Sequence, residues 1–247
     1  MIPKVIHYCW FGGNPLTELA QKCIESWRKF CPDYEILCWD ESNYDITKNQ
    51  YMKEAYDEKK WGFVPDYARL DIIYNHGGIY MDTDVELLKP LDEFLTHEAF
   101  LAVERTGIVA LGLGFGAAKG NDVILQLLKQ YEGRTFLIDG KPDLTTAPTY
   151  QANFFKKYGI FEDKTYEIEP GCFVYSREYF NPTDLDTGKL LLTPNTKSIH
   201  HYAGSWTTPA NRRNTIIYQH LTRYFGKNTA ERVKKFKKKV CSLFKQK

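Results

Sequence analysis

The sequence lacks a dominant charge, a long apolar run and a paired-cysteine motif. Its 33 Lys and Arg nearly balance 31 Asp and Glu, and the net charge of +2 argues against a general nucleic-acid binder. No run reaches the roughly 18 apolar residues that cross a bilayer, and the first residues lack the apolar core of a signal peptide. These absences predict a cytoplasmic protein.

The six cysteines contain no Cys-x-x-Cys pair, which excludes the usual structural zinc site. In a chain of 247 residues they predict free thiols in a reducing compartment rather than disulfides. Aromatic residues, in contrast, are abundant and make up 15% of the chain. Such side chains fill cores and also stack on sugar rings and nucleobases, so their excess fits a carbohydrate or nucleotide site.

The alternation of apolar strands and helices in the first half of the chain predicts an α/β fold. Strands are expected at 5–11, 34–39 and 79–81, with helices between them at 17–30 and 65–75. Further predicted elements are helices at 47–60, 122–131, 149–158 and 211–224 and extended segments at 85–88, 100–103 and 114–117. This order favours a mainly parallel central sheet flanked by helices, followed by C-terminal helices.

Two carboxylates follow the strand at 79–81. Asp82 and Asp84 are two residues apart, so in an extended segment both side chains can converge on one hard cation. The spacing alone is a weak signal, because Asp184 and Asp186 repeat it among turn-forming residues, where a solvated turn explains it. At the end of a buried strand, however, two carboxylates need a cation or a donor to offset repulsion and desolvation. The first pair therefore predicts a metal site, with a capped turn as the alternative.

Asp66 and Arg69 lie three residues apart on the preceding helix and so share one of its faces. One interpretation is a local ion pair worth roughly a few tenths of a kcal/mol. The other is a functional pair, in which the carboxylate holds sugar hydroxyls and the guanidinium holds sugar or phosphate oxygens. The residues alone leave both interpretations open.

Three segments of the chain carry a family resemblance. The central one reads Val64-Pro65-Asp66-Tyr67-Ala68-Arg69-Leu70-Asp71, then Tyr74-x-x-Gly77-Gly78-Ile79-Tyr80-Met81-Asp82-Thr83-Asp84. The outer two read Ile2-Pro3-Lys4-Val5-Ile6-His7-Tyr8-Cys9-Trp10-Phe11-Gly12-Gly13 and His200-His201-Tyr202-Ala203-Gly204-Ser205-Trp206. Together they resemble glycosyltransferase family 32, the DXD-containing sugar transferases of bacterial capsule synthesis, yeast mannosyl transfer and the glucosylating clostridial toxins.

The resemblance implies a GT-A-type nucleotide-sugar-binding fold over residues 1–228 and a hexosyltransferase that retains the anomeric configuration. The compact chain is similar to capsule enzymes, which favours a UDP-sugar over GDP-mannose as the donor. By the same resemblance the acceptor is a saccharide, in particular a lipid-linked oligosaccharide of surface polysaccharide synthesis. The resemblance also implies a divalent cofactor, Mn²⁺ or Mg²⁺. Front-face attack and a covalent sugar–carboxylate intermediate both stay open.

The resemblance further assigns roles to matching residues. Trp10 matches the aromatic residue that stacks on the base, and His7 lies in the same opening strand. Asp66 and Arg69 match residues that hold the donor sugar, and with Asp84 they form the predicted catalytic set. The predicted donor-binding residues are His7, Trp10, Asp66, Arg69, Asp82, Ser205 and Trp206.

The predicted metal ligands are Asp82, Asp84 and a histidine of the closing segment, which is similar to a loop where a histidine completes the metal sphere in related transferases. Adjacent residues of an extended segment face opposite sides, so one of His200 and His201 faces away from the carboxylates. We expect His201 to be the ligand.

The chain departs from the family at two places. Ala147 stands where many relatives have glycine, and residues 112–116 contain no Asn where relatives often place one near the reacting sugar. A glycine-rich backbone at that point can approach a ligand closely. These departures keep open the alternative of a non-catalytic carbohydrate-binding or scaffold protein. A glycosidase is disfavoured, because a metal-binding DXD motif has no role in that chemistry.

The end of the sequence is strongly basic. Residues 232–247 contain eight cations and no acid, whereas the rest of the chain has 25 cations against 31 acids. Apolar residues recur at helical spacing between the cations, which predicts an amphipathic helix over 229–247. We expect this helix to bind an anionic membrane surface at the inner face of the cell membrane, with docking on the protein body as the alternative. No nucleic-acid partner is expected.

Overall fold

A computed structural model of the chain describes residues 1–105, 107–204 and 207–244, with the backbone alone described at 209 and 238–244. The strands in these residues are β1 Val5–Cys9, β2 Glu35–Trp39, β3 Gly78–Tyr80, β4 Val85–Leu87, β5 Ala99–Arg105, β6 Ile108–Val109, β7 Phe115–Ala117, β8 Leu137–Ile138, β9 Lys141–Pro142, β10 Tyr166–Glu169, β11 Cys172–Tyr175 and β12 Ser198–His200. The α-helices are α1 Glu18–Phe30, α2 Gln50–Asp57, α3 Pro65–His76, α4 Asp122–Lys129, α5 Ala147–Lys156, α6 Arg177–Phe180, α7 Pro209–Phe225 and α8 Lys227–Phe244.

The central sheet has the strand order β10-β11-β5-β7-β3-β1-β2, with β6 paired to β5. One parallel group is formed by β2, β1 and β3, and a second by β5 and β11. Strand β7 is antiparallel to both β3 and β5 and so joins the two groups. A separate two-stranded sheet pairs β4 with β12. The predicted α/β class, with helices flanking a central sheet, is confirmed.

Apolar side chains cover both faces of this sheet. Along β5, Leu101 and Val103 belong to one buried cluster, whereas Phe100 and Ala102 belong to the other. The alternation follows from strand geometry, in which successive side chains point to opposite faces. Strands with two buried faces read as continuous apolar runs, which is why the segment at 100–103 was recognisable in the sequence.

Local signals set the bounds of the helices that lead to the DXD segment. Thr17 caps α1 by accepting a hydrogen bond from the Ala20 amide at 3.2 Å, so this helix begins where the sequence predicts. Helix α3 ends at Gly77, which has φ of 69°. A Cβ atom at Gly77 would lie 2.9 Å from the backbone nitrogen of Lys119, so glycine is needed there for space as well as for φ.

Contacts divide the chain into two compact units. The first unit comprises Met1–Pro182 and Thr193–Trp206, and the second comprises Thr183–Leu192 and Thr207–Lys247. The predicted boundary at residue 228 falls inside the second unit, near the start of α8. The division into a catalytic domain over 1–228 and a helix over 229–247 stays a prediction, because contacts alone do not define a catalytic domain.

The second unit contains α7, α8 and the turn at 183–192. Asp184 forms the turn expected from its sequence, because its Oδ1 accepts hydrogen bonds from the amides of Asp186 at 2.9 Å and Thr187 at 3.0 Å. Arg223 on α7 donates two hydrogen bonds to the Thr187 carbonyl, at 3.0 and 2.7 Å. In the part of the chain that the structure describes, no helix is both long and apolar enough to cross a membrane.

Candidate functional site

The DXD segment connects the central sheet to the small one. Strand β3 lies parallel to β1, and the Met81 amide extends this pairing by donating to the His7 carbonyl at 3.1 Å. The chain then turns, with the Val85 amide donating to the Asp82 carbonyl at 3.0 Å, and continues as β4. Asp82 and Asp84 thus lie at the carboxyl end of a buried strand, which is the edge where open α/β sheets bind ligands.

Helix α1 holds β4 in place. The Trp27 indole donates to the Val85 carbonyl at 2.7 Å, and the Trp27 side chain is fully buried. Lys22, one turn earlier, forms an ion pair with Glu86 at 2.9 Å. These contacts fix the backbone on the C-terminal side of the two carboxylates.

Strand β12 brings a histidine to the two carboxylates. It pairs antiparallel with β4, so that His200 lies opposite Val85. The His200 Nε2 atom is 3.0 Å from Asp84 Oδ1, and Asp84 Oδ2 accepts the Ala203 amide at 2.8 Å. One ligand atom each from Asp82, Asp84 and His200 lie within 4.8 Å of one another.

The structure brings His200, and not the expected His201, to the DXD carboxylates. The two imidazoles do face opposite sides, as expected for an extended segment, but the order is reversed. The His201 amide donates to the Asp84 carbonyl at 2.9 Å, and its Nε2 lies 2.8 Å from Glu86 Oε2. The pairing of β12 with β4 fixes this orientation, and the sequence contains no signal for that pairing.

The two carboxylates have opposite electrostatic environments. Burial raises the pKa of Asp82 above its usual value, although the Arg69 guanidinium opposes this shift. Burial also disfavours the charged form of Asp84, but the charge and hydrogen bond of His200 hold its pKa below the usual value. Burial alone would lower the pKa of His200, and the attraction of Asp84 raises it instead. Asp84 and His200 therefore each favour the charged form of the other.

These residues fit a divalent cation. The donor set consists of two carboxylates and one imidazole, a mixed oxygen and nitrogen set that suits Mn²⁺ somewhat better than Mg²⁺. The His200 Nδ1 atom is buried and has no hydrogen-bond partner among the described residues. Metal-ligating histidines usually donate this second ring nitrogen to an acceptor, so a water or a reoriented side chain would complete the arrangement.

Asp66 and Arg69 join the same site. Both are buried, at 3% and 6% exposure, and they form an ion pair with each other. Arg69 Nη1 also lies 3.6 Å from Asp82 Oδ1, and the Tyr51 hydroxyl donates to Asp66 Oδ2 at 3.4 Å. The local ion pair is therefore confirmed and extends to the DXD motif, whereas the sugar- and phosphate-holding role of the pair stays a prediction.

Gly112 explains why the expected Asn is absent. The Asp82 amide donates to the Gly112 carbonyl at 3.3 Å, which places the glycine directly against the aspartate. A Cβ atom at Gly112 would overlap the Asp82 carboxylate. In this structure the group that the Gly112 backbone approaches is Asp82, and the expected approach to a sugar stays a prediction.

Trp10 lies at the same edge of the sheet, directly after β1. Its half-buried ring packs against the apolar cluster, and its Nε1 donates to the Asn14 carbonyl at 2.6 Å. The predicted stacking of this ring on a base stays a prediction. The predicted phosphate donors Ser205 and Trp206 lie outside the described residues.

His7 is enclosed by protein groups, and its assignment as a donor-binding residue stays a prediction. It is 1% exposed, and both ring nitrogens have protein partners. The Trp39 indole donates to His7 Nδ1 at 3.0 Å, so Nε2 carries the proton and donates to the Gly77 carbonyl at 3.0 Å. Burial lowers the pKa of His7 to about 4. The residue joins β1, β2 and the end of α3, which is a structural role.

Glu104 is a buried acid near the site that the sequence analysis missed. It lies at the carboxyl end of β5, burial raises its pKa, and its charge acts on His200. The Asn181 side chain donates to the Glu104 carbonyl at 2.8 Å. The available signal was a carboxylate directly after the predicted strand at 100–103, the same pattern that identified Asp82.

Asp66, Arg69, Asp82 and Asp84 lie in a region of the chain that matches a protein-family model. Residues 17–101 match the family model described as the glycosyltransferase sugar-binding region containing a DXD motif. The chain is 34% identical over 139 residues to inositol phosphoceramide mannosyltransferase 3 of Schizosaccharomyces pombe, covering 52% of this chain and 36% of that protein. It is 26% identical over 183 residues to inositol phosphoceramide mannosyltransferase 1 of the same organism, covering 68% and 56%. These matches confirm the predicted family resemblance, although the chain spans only about a third to a half of these relatives.

The fold is also similar to solved structures. PaToxG glycosyltransferase matches with a TM-score of 0.44 and 18% identity, over 64% of this chain and 70% of that chain. A glycosyltransferase involved in the glycosylation of the major capsid of PBCV-1 matches with a TM-score of 0.48 and 12% identity, over 87% and 99%.

The buried His7 predicts acid sensitivity. Because the pKa of its folded form, about 4, lies below its ordinary 6.5, the unfolded chain binds the proton first and stability falls as the pH falls between these values. The loss attributable to His7 amounts to roughly 3 kcal/mol. We expect the free energy of unfolding of His7→Gln to depend on pH less steeply by about this amount, as measured by urea denaturation at pH 7 and pH 4. An unchanged dependence would contradict the assignment, and His220→Gln, at an exposed histidine, is the control.

The contact between Gly112 and Asp82 gives a second prediction. Gly112→Ala should displace the Asp82 carboxylate and weaken Mn²⁺ binding by about tenfold or more while the protein stays folded. Isothermal titration calorimetry measures the affinity, and circular dichroism checks the fold. Gly133→Ala serves as the control for a substitution that strains the backbone, at φ of 68°, but places no Cβ atom within 4 Å of another group, and it should keep wild-type affinity. Wild-type affinity in Gly112→Ala would show that Asp82 does not depend on this approach.

Proposed function

Residues 17–101 carry a glycosyltransferase sugar-binding region with a DXD motif, and we propose that the chain is a hexosyltransferase that moves a sugar from a nucleotide-sugar to a saccharide acceptor. One observation carries the proposal. The carboxylates of Asp82 and Asp84 lie close to His200, which is distant from them in the sequence. The Arg69 Nη1 atom lies 3.6 Å from Asp82 Oδ1. In a half-buried cluster of this kind at the carboxyl end of a strand, a charged ligand would offset the repulsion and partial desolvation of the carboxylates.

The proposed metal ligands are Asp82, Asp84 and His200, with Mn²⁺ favoured over Mg²⁺. When bound, the divalent ion supplies Lewis-acid stabilisation of the negative charge that develops on the diphosphate leaving group. The protein's task is to hold the ligands in place before the donor arrives. The backbone amide of Ala203 and the α1 contacts to β4 do this for Asp84 and its neighbours.

The buried ion pair orients the donor. Asp66 can accept hydrogen bonds from sugar hydroxyls, and Arg69 can donate to sugar or phosphate oxygens without losing its charge. The Asp66 carboxylate is fixed from a second side by Tyr51, so its free acceptor positions have a defined direction. Because Asp66 is buried, its carboxylate would also stabilise the positive charge that develops on the sugar ring during transfer.

The proposal extends to the finer points that the family resemblance implies. We infer a UDP-sugar donor, base stacking on Trp10, retention of the anomeric configuration and a lipid-linked saccharide acceptor. The basic helix α8 supports such an acceptor, since binding to an anionic membrane surface would bring the enzyme to it. We therefore place the working enzyme at the inner face of the membrane in surface polysaccharide synthesis.

The function is tested by removing one carboxylate. Asp84→Asn should abolish Mn²⁺-dependent release of nucleotide from a panel of UDP- and GDP-sugars, because the variant loses a charged metal ligand. The matched control is Asp186→Asn, at the DXD spacing of the exposed turn, which should keep wild-type rates. A wild-type protein that binds donor but releases no nucleotide with any acceptor would instead favour the carbohydrate-binding alternative.

The histidine choice is tested by a matched pair of variants. His200→Ala should weaken Mn²⁺ binding by about tenfold or more, as a ligand loss does, whereas His201→Ala should leave the affinity within about twofold. The reason is that His201 contacts Glu86 and not the DXD carboxylates. Electron paramagnetic resonance of free Mn²⁺ measures both affinities without any substrate. The reverse ranking would restore His201 as the ligand.

A further inference from the structure

Three consecutive leucines are exposed in the second unit. Leu190, Leu191 and Leu192 have relative exposures of 50%, 51% and 56%. Single exposed leucines are ordinary on protein surfaces. A run of three exposed leucines is unfavourable in water, and it indicates a surface that a binding partner covers when the protein functions. The sequence analysis did not single out this run, because a short apolar segment reads as a buried strand.

The turn that presents these leucines is well held. Thr183 and Leu190 form an antiparallel bridge, and the Asp184 amide donates to the Lys189 carbonyl at 2.8 Å. Lys227 closes the base with an ion pair to Asp186 at 2.7 Å. Together with the Arg223 contacts to Thr187, these bonds hold residues 183–190, and Leu191 and Leu192 directly follow this segment.

The same unit exposes further apolar side chains and concentrates positive charge. Among the side chains that the structure describes on α7 and α8, the large apolar ones that are exposed are Ile216, Ile217, Tyr224, Phe225, Val233 and Phe236. By sequence the second unit has 13 cations against 3 acids, whereas the first unit has 20 cations against 28 acids. The near-neutral chain therefore consists of one strongly basic unit and one acidic unit.

We propose that the second unit binds an anionic lipid bilayer and that Leu190, Leu191 and Leu192 insert into it. This rests on the membrane binding proposed for α8 and extends it from the helix to the whole unit. A bilayer offers both kinds of contact that the surface needs, because anionic headgroups attract the lysines and the acyl region accepts aliphatic side chains. A protein partner would have to supply acids and a large apolar patch together.

The test compares two full-length variants on vesicles of phosphatidylcholine, with and without phosphatidylglycerol. The insertion variant is Leu190→Gln with Leu191→Gln and Leu192→Gln. The charge variant is Arg232→Gln with Lys234→Gln and Lys235→Gln. The control is Leu144→Gln with Phe161→Gln, which removes apolar side chains of 55% and 60% exposure from the first unit.

We expect the wild type and the control to bind the anionic vesicles alike and the neutral ones weakly. The insertion variant should bind about tenfold or more weakly, and its residual binding should disappear as salt is raised, because only attraction by charge remains. The charge variant should lose affinity for anionic vesicles and the salt dependence with it. An insertion variant that binds as tightly as the wild type would overturn the insertion of the leucines.

Two other outcomes would also overturn the proposal. The first is a wild type that binds neither type of vesicle. The second is a wild type that sediments as a dimer while the insertion variant sediments as a monomer, since the leucines would then cover each other. Vesicle binding is measured without donor or acceptor, so it is independent of nucleotide release. A protein that releases nucleotide but ignores vesicles refutes only the membrane surface, and the converse refutes only the transferase.

Discussion

Repulsion between Asp82 and Asp84 is the constraint on which the rest of this structure depends. Two carboxylates at the end of a buried strand are unfavourable by themselves, and burial alone would drive one of them to bind a proton. Arg69 opposes that outcome at Asp82, and His200 does so at Asp84. The pKa of Asp82 is raised and that of Asp84 is lowered, and a divalent cation would relieve the repulsion between the two carboxylates.

Contacts from the surrounding fold hold these charged side chains in position. Helix α1 fixes β4 through the Trp27 indole, β12 adds His200 from a distant part of the chain, and Gly112 leaves room for the Asp82 carboxylate. None of these contacts requires a ligand to form. Because the charged side chains are brought together when the protein folds, ligand binding does not have to supply the free energy of bringing them together.

The two units of the molecule differ in net charge. The acidic unit contains the DXD motif, and the basic unit contains the exposed leucines, although the overall charge is only +2. An acidic catalytic unit would be repelled by an anionic membrane, and a basic unit offsets that repulsion. The net charge of +2, which by itself argues against a general nucleic-acid binder, conceals this division.

The sequence by itself determined the features that depend on residues close together in the sequence. The Thr17 cap, the end of α3 at Gly77 and the strand that leads into Asp82 are all set by local chemistry, so the α/β class and the DXD motif could be predicted. Only the tertiary structure decided which histidine joins the carboxylates, and it enclosed His7 with protein groups. The reason is that strand pairing between distant segments sets the phase of side-chain alternation, and a shift of one residue turns every side chain to the other face.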